Sequence, residues 1–167
     1  MSVVSQSRFL VTPGGGDAIY DGPIGTTIKV RGSETNGVLS ICDMPVAPGF
    51  MVPPHMHRDF DEWSYVLEGR IGARIGDDEF TAHRGSYILK PRALMHTFWN
   101  AGPEPARIIE LITPAGFETF FERVADLMAR GELTDELMGS MAEEYGTSVS
   151  MEWVEDLTAR YGLEVTV

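Results

Sequence analysis

Turn-forming residues recur about every ten positions through the first 115 residues, and this spacing constrains the fold more than any other feature of the chain. Pairs such as Asn36-Gly37, Pro48-Gly49 and Gly102-Pro103 separate short runs rich in β-branched and aromatic residues. The runs cover residues 26–30, 38–42, 63–67, 87–89 and 107–112. Short strands between regular turns are typical of an antiparallel sandwich or barrel. We therefore predict a mainly β domain, and Pro53-Pro54 indicates an edge strand or an interruption within it.

After Pro114 the apolar residues begin to recur with a period of about 3.6, as in an amphipathic helix. Five of them share one face of the first predicted helix: Phe117, Phe120, Phe121, Val124 and Met128. Gly131 suits the C-terminal cap of that helix. Thr134 and Ser150 can N-cap two further helices, which Gly146 and Gly162 would end. The sequence thus predicts a tail of two to three helices.

The formal net charge of −12 is unevenly distributed, because residues 1–115 carry −3 and residues 116–167 carry −9. The acidic residues of the tail lie opposite its apolar stripes, which favours a solvated surface over an acidic partner-binding surface. We predict a β-barrel domain with N-terminal strands at 1–115. An acidic helical extension at 116–167 would pack on this barrel.

Composition argues against several classes of partner. Nucleic acid and anionic membrane surfaces need clustered Lys and Arg, whereas this chain is strongly acidic. No run approaches the ~20 apolar residues of a membrane span, and the first residues have no apolar signal-peptide core. The single cysteine, Cys42, cannot form an internal disulfide, and packing is favoured for it over nucleophilic chemistry. We expect a cytoplasmic protein with no nucleic-acid or membrane partner.

Histidines and one glutamate form the pattern that points to chemistry. His55 and His57 stand one residue apart in a strand-like segment, so both imidazoles face the same way. Glu62 follows at the start of a returning strand, and His96 lies in a second turn-and-strand segment. Three imidazoles and a carboxylate suit a first-row transition ion. His83 follows no ligand spacing and is interpreted as a surface or structural residue.

Two segments carry a family resemblance. The first, from Gly49, reads G-x5-H-x-H-x4-E-x6-G, and the second, from Gly85, reads G-x5-P-x-A-x2-H-x3-N. Fifteen residues separate them. Apart from Ala93, which replaces a glycine, they match the two motifs of the cupin superfamily, and their spacing resembles that of compact single-domain cupins. The substitution bears on the backbone angle of the turn before His96 more than on the ligand.

The resemblance implies a double-stranded β-helix, or jelly roll, with one divalent metal ion at the bottom of a pocket. It places His55, His57, Glu62 and His96 at the family's ligand positions, for Fe, Ni, Mn, Co, Cu or Zn. Four protein ligands on an octahedral ion leave two neighbouring positions, enough for a bidentate substrate or for a substrate oxygen and dioxygen together. The alternative is a barrel without metal, in which hydrogen bonds hold the histidines; the cost of burying unpaired polar groups argues against it.

Strand parity, extended from the four ligands, predicts the residues that line the pocket. These residues are Met51, Ser64, Val66 and Phe98. Phe98 would either lie over a substrate or fill the barrel, and Arg92 at the mouth is a candidate for binding an anionic or hydroxylated ligand. Asn100 is expected to hold a strand end. None of the inward positions inferred in this way is basic.

By the same alternation, Trp63, Tyr65 and Trp99 face the opposite side of their strands from the ligands. They would pack against the other sheet layer, the tail helices or a second subunit. Because jelly rolls leave strand edges to be paired, we expect a homodimer. Its contact would involve the N-terminal strands, Trp63 and Trp99.

Three functions remain in competition. The leading hypothesis is a metal-dependent dioxygenase of a small aromatic or enol-type substrate, similar to the quercetinase-like bacterial cupins, with Glu62 as general base. The second is a non-oxidative isomerase, decarboxylase or lyase, which would need basic residues inside the barrel. The third is a non-catalytic small-molecule-binding protein, and fold alone does not choose among them.

Overall fold

Short strands predominate in the computed structural model, which describes residues 9–165. In chain order the strands are β1 (Asp17–Tyr20), β2 (Thr26–Val30), β3 (Ser40–Val46), β4 (Phe50–Met51), β5 (His55–His57), β6 (Asp61–Glu68), β7 (Arg70–Ile75), β8 (Asp78–His83), β9 (Tyr87–Lys90), β10 (His96–Trp99), β11 (Ala106–Thr113), β12 (Thr147–Val149) and β13 (Glu164–Val165). The helices are α1 (Glu118–Arg130), α2 (Asp135–Glu144) and α3 (Val154–Tyr161). Each strand predicted from the sequence is present.

The first sheet has the spatial order β1-β2-β3-β11-β6-β9, with antiparallel pairing throughout. Side chains alternate along β11, so that its even-numbered residues are buried against the second sheet. The core between the sheets includes Met44, Val66, Ile88, Phe98 and Ile108. Two sheets that enclose one core in this order form the predicted jelly roll.

In the second sheet, two short strands, β4 and β5, together occupy the place of one long strand beside β10. β7 pairs with β8 and with one side of β10, and both β4 and β5 pair with the other side of β10. Trp99 lies opposite Met51, and His96 lies opposite His55. The predicted interruption at Pro53-Pro54 is thus confirmed, because these prolines fall between β4 and β5.

The tail contains the three predicted helices. Gly131 and Gly162 adopt left-handed C-cap conformations, with φ of 66° and 63°. The expected cap at Ser150 is wrong, since α3 begins at Val154 with Trp153 as its N-cap. Residues just before Ser150 belong to β12 instead, and the Ser150 hydroxyl accepts from the Glu152 amide within the intervening turn.

Thr134 is the N-cap of α2, as predicted, and its hydroxyl accepts a hydrogen bond from the Leu137 amide at 3.2 Å. Thr134→Ala leaves that amide without its partner and is expected to lower the free energy of unfolding by about 1 kcal/mol. Urea denaturation followed by circular dichroism measures the change, with Thr134→Ser as the control that keeps the cap. Equal destabilisation by both variants would contradict this role.

Two short strands of the tail were not predicted. β12 pairs antiparallel with β5, and β13 pairs parallel with β4, so the tail completes the edge of the second sheet on both sides of the proline break. The division into a domain at 1–115 and an extension at 116–167 stays a prediction. The two parts nevertheless share one sheet.

Helix α3 covers the outer side of the second sheet. Trp99 is 2% exposed, packs with Leu157 and Leu163, and has its ring 5.1 Å from that of Tyr161. Trp99 therefore faces the tail, which corrects its expected place in a dimer contact, whereas Trp63 is 42% exposed. The homodimer itself stays a prediction.

Within residues 9–165, the helices are too short or too polar to cross a lipid bilayer.

Candidate metal centre

Four side chains from three strands converge inside the barrel. His55 and His57 extend from β5, His96 extends from β10 directly opposite His55, and Glu62 extends from β6. One potential ligand atom from each of the four lies within 4.8 Å of all the others. The structure therefore brings together the four residues that the sequence singled out.

The Nδ1 atoms of the histidines are all engaged away from the cluster. Nδ1 of His55 lies 2.8 Å from the Pro53 carbonyl oxygen, and Nδ1 of His96 lies 2.9 Å from that of Leu94. Nδ1 of His57 lies 2.9 Å from Oγ1 of Thr147. Because a carbonyl oxygen only accepts, His55 and His96 carry their proton on Nδ1 and present the Nε2 lone pair to the cluster.

The inward atoms fit a metal ion. Among residues 9–165, the buried Nε2 atoms of His57 and His96 have no hydrogen-bond partner. Each lies 3.5 Å from a carboxylate oxygen of Glu62. Leaving buried nitrogen lone pairs unpaired costs free energy that a bound cation would recover. The donor set of three imidazoles and one carboxylate suits a divalent first-row transition metal.

Burial also prepares the imidazoles for ligation. It is the main reason that the pKa of His55 lies well below its ordinary value, and the neighbouring His96 and His57 lower it further. Burial likewise lowers the pKa of His96. His55 and His96 are therefore neutral near pH 7, which is the form that binds metals.

A buried ionic network adjoins the cluster. Nζ of Lys90 lies 2.9 Å from Glu62 Oε2 and 2.8 Å from Glu110 Oε2, and Ser64 also donates to Glu110 at 2.8 Å. Burial alone would lower the pKa of Lys90, but the two carboxylates raise it, so Lys90 is charged. Burial would raise the pKa of Glu62, yet the charge of Lys90 and the neighbouring His57 and His96 bring it well below its usual range.

Glu110 is the fourth member of this network, and its titration differs from that of Glu62. Burial and the charge of Glu62 raise the pKa of Glu110 to about 7, against the lowering effect of Lys90. The inward positions inferred from the ligands include no basic residue, but the barrel interior contains Lys90 in addition to them. Lys90 and Ile88 are two residues apart on β9, so their side chains share one face of the strand, and both point inward.

A cavity of about 320 Å³ opens onto the cluster. Its polar end includes His55, His57, Glu62, Lys90 and Glu110, and its other walls are almost entirely apolar. The tail supplies much of this apolar wall: Phe117, Phe120, Phe121, Val124, Met128 and Met138. The helical face predicted for α1 therefore faces the cavity.

Three of the residues predicted to line the pocket, Phe98, Ser64 and Val66, have side chains inside the barrel. Phe98 lines the cavity, and Nζ of Lys90 lies 5.0 Å from the centre of its ring. Ser64 and Val66 point into the barrel, where Ser64 binds Glu110 and Val66 is fully buried in the core between the sheets.

Met51 and Arg92 do not line the cavity, contrary to the prediction. Met51 packs with Trp99 and Leu157 under α3, on the side of the second sheet that faces away from the barrel. The alternation of inward and outward side chains does not continue from His55 back to Met51, because the chain between β4 and β5 is not a regular strand. Arg92 is exposed, and Asp61 binds its guanidinium at 2.8 Å, so it is held outside the cavity.

Three smaller expectations concern residues near the site. Asn100 holds a strand end, because its amide donates to the Val46 and Glu104 carbonyls. Cys42 is buried, and burial raises the pKa of its thiol to about 12, which makes it a poor nucleophile. His83 is exposed on β8.

Ala93 retains the backbone conformation that the motif's glycine would adopt. Its φ is 60°, in the left-handed region, and its amide donates to the His57 carbonyl at 2.7 Å. This hydrogen bond ties the turn before His96 to β5. The substitution thus leaves the loop geometry compatible with the cluster.

Comparisons with known proteins agree with this geometry. A cupin domain model matches residues 43–112. The chain is 31% identical over 80 residues to the tetracenomycin polyketide synthase protein TcmJ of Streptomyces glaucescens, a match that covers 48% of this chain and 52% of the relative. It is 35% identical over 86 residues to germin-like protein subfamily 2 member 3 of Arabidopsis thaliana, covering 48% of this chain and 39% of the relative.

The chain thus spans about half the length, or less, of these curated relatives. Among solved structures, an RmlC-like cupin from Shewanella frigidimarina superposes with a TM-score of 0.58 at 18% identity, covering 68% of this chain and 96% of that one. The family match over residues 43–112 and the two motifs identify a cupin domain in this chain, and the superposition shows that it shares the cupin barrel fold.

Proposed function

We propose that this protein is a metal-dependent dioxygenase of a small, largely apolar substrate that carries an aromatic hydroxyl or an enol. The observation that carries the proposal is the cavity of about 320 Å³, whose apolar walls end at a cluster of three histidines and one glutamate. Such a pocket accommodates a flat apolar skeleton and directs its polar end to the cluster. A relative named as a polyketide synthase protein agrees with this chemistry, because aromatic polyketides carry phenolic and enolic oxygens.

His55, His57, Glu62 and His96 would hold the ion. A divalent metal at this position would act as a Lewis acid, which lowers the pKa of a bound hydroxyl and stabilises its oxyanion. Glu62 is the proposed acceptor for the substrate proton, as expected from the sequence. Lys90, 2.9 Å from Glu62, would offset the negative charge that the ionised substrate brings into a buried site.

The apolar walls have a second role in this proposal. Phe98 and the phenylalanines of α1 would exclude water from the polar end of the cavity, and they would hold the substrate ring above the cluster. Exclusion of water strengthens the electrostatic interactions there and protects a reactive substrate anion from protonation.

One observation favours a second candidate, a non-oxidative isomerase, decarboxylase or lyase. Such enzymes hold an anionic substrate or an enediolate beside a cation, and Lys90 is the inward basic residue that this chemistry requires. In this protein, however, Glu62 and Glu110 already engage Lys90. We therefore rank the second candidate below the dioxygenase.

Oxygen consumption tests the proposal. Protein loaded separately with Fe²⁺, Ni²⁺, Mn²⁺, Co²⁺, Cu²⁺ or Zn²⁺ is incubated with flavonols, catechols and enolisable aromatic ketones in an oxygen electrode, and products are followed by mass spectrometry. We expect at least one metal to support substrate loss together with oxygen uptake, and Glu62→Gln to turn over more slowly. Substrate loss that continues without oxygen would select the second candidate, and no turnover with any metal would contradict both.

A further inference from the structure

The three histidines of the cluster obtain their Nδ1 partners from different parts of the chain. His55 and His96 each use the backbone carbonyl two residues earlier, within their own segments. His57 uses the hydroxyl of Thr147, which lies 90 residues further along the chain on tail strand β12. One ligand of the predicted metal site is therefore oriented by the tail.

The pair formed by His57 and Thr147 is shielded from water, since the two residues are 1% and 6% exposed. When Oγ1 of Thr147 accepts the Nδ1 proton, the His57 Nε2 lone pair faces the cluster. A hydrogen bond at the far nitrogen fixes the tautomer and the ring orientation of a metal-binding histidine, and it raises the basicity of the ligating nitrogen. Removing the hydroxyl would leave a buried N–H without an acceptor.

The backbone of the tail reinforces this contact. Thr147 lies opposite His57 and Val149 lies opposite His55 in the pairing of β12 with β5. Beyond the strand ends, the Arg58 amide donates to the Gly146 carbonyl, and the Ser150 amide donates to the Pro54 carbonyl, both at 2.8 Å. The strand that carries two ligands is thus bound along its whole length by residues 146–150.

A second residue of the tail also packs against the His57 imidazole. The ring of Phe117, next to the start of α1, lies 4.8 Å from the His57 ring, and that of Phe60 lies 4.2 Å away. The His57 imidazole thus packs against two aromatic rings, which touch each other at 4.6 Å between centroids, and its Nδ1 atom faces Thr147.

We propose that Thr147 is a positioning residue for the metal site and that it couples metal binding to the docking of residues 146–150 on β5. Metal at Nε2 makes the Nδ1 proton of His57 a stronger donor to Thr147, which stabilises the docked tail. By thermodynamic linkage, tail docking raises the metal affinity by the same factor. The proposal depends on the metal site alone and is independent of the reaction that the protein catalyses.

Metal affinity of the full chain tests the first part. Thr147→Val keeps the β-branched shape but removes the acceptor, Thr147→Ser restores a hydroxyl, and Ser148→Val alters the exposed neighbour on the same strand. Affinities for Zn²⁺ and Ni²⁺ are measured by competition with a chromophoric chelator. We expect Thr147→Val to bind both ions about 10–100-fold more weakly, Thr147→Ser to recover most of the affinity, and Ser148→Val to match the wild type.

Hydrogen exchange of the wild-type chain tests the coupling without any variant. Zn²⁺ is expected to slow exchange at the amides of residues 146–150 more than at those of α3, which packs on Met51 and Trp99 away from the cluster. The proposal is overturned if Thr147→Val binds metal as tightly as the wild type. It is equally overturned if Zn²⁺ leaves exchange at residues 146–150 unchanged.

Discussion

Replacing Lys90 with methionine is expected to lower the free energy of unfolding of the metal-free protein by about 3–5 kcal/mol. The ammonium group lies within 2.9 Å of both Glu62 and Glu110, and it is 2% exposed. Methionine fills the same space but leaves two carboxylates buried without their shared cation. Urea denaturation followed by tryptophan fluorescence measures the loss.

The chain provides a matched control, because its only other lysine is Lys29. Nζ of Lys29 lies 3.7 Å from Asp43, whose carboxylate also binds Arg107 at 2.6 Å. Lys29→Met leaves Asp43 with that stronger partner, so we expect a loss of about 1 kcal/mol or less. Similar small losses for both lysines would show that the buried network contributes little to stability.

Metal addition is expected to stabilise the wild-type protein and to leave His96→Ala nearly unchanged. The four ligand side chains converge only in the folded state, where His96 is fully buried between β5 and β7. For binding to the folded state alone, free metal at 1,000 times its dissociation constant adds about 4.1 kcal/mol to the free energy of unfolding. Thermal unfolding with and without Ni²⁺ or Zn²⁺ measures this difference within each variant.

His83→Ala is the control for that experiment, since His83 is an exposed histidine on β8 outside the cluster. Its metal-dependent stabilisation should equal that of the wild type. Comparing each variant with itself removes the effect of the substitution on the apo fold. Equal stabilisation of His96→Ala and His83→Ala would contradict the four-residue site.

The four ligands can be predicted from the sequence because two of them share a strand face and the resemblance to the cupin motifs places all four at ligand positions. His55 and His57 share a strand face at any register, whereas Glu62 and His96 lie on strands of different sheets, β6 and β10, that face each other across the barrel. The alternation that starts at His55 does not extend to Met51, because the chain between β4 and β5 is not a regular strand. Periodicity is a reliable guide only within an uninterrupted strand.

Other parts of the site depend on contacts between distant segments, which a single sequence does not display. Thr147 belongs to a strand of three residues, too short to leave a periodic signal, and only its pairing with β5 brings it to His57. Lys90 lies on the same face of β9 as Ile88, but β9 carries none of the four ligands, so alternation counted from the ligands does not reach Lys90.

The pairing of β12 and β13 with the barrel also has a consequence for any shortened form of this protein. A protein trimmed to the segment that matches the cupin family, residues 43–112, would lose these strands and leave the backbone N–H and C=O groups of β4 and β5 unpaired. Unpaired strands of this kind recruit other chains and promote aggregation. In this chain, pairing with the tail satisfies those groups, so the strand that carries His55 and His57 is not open to pairing with another chain.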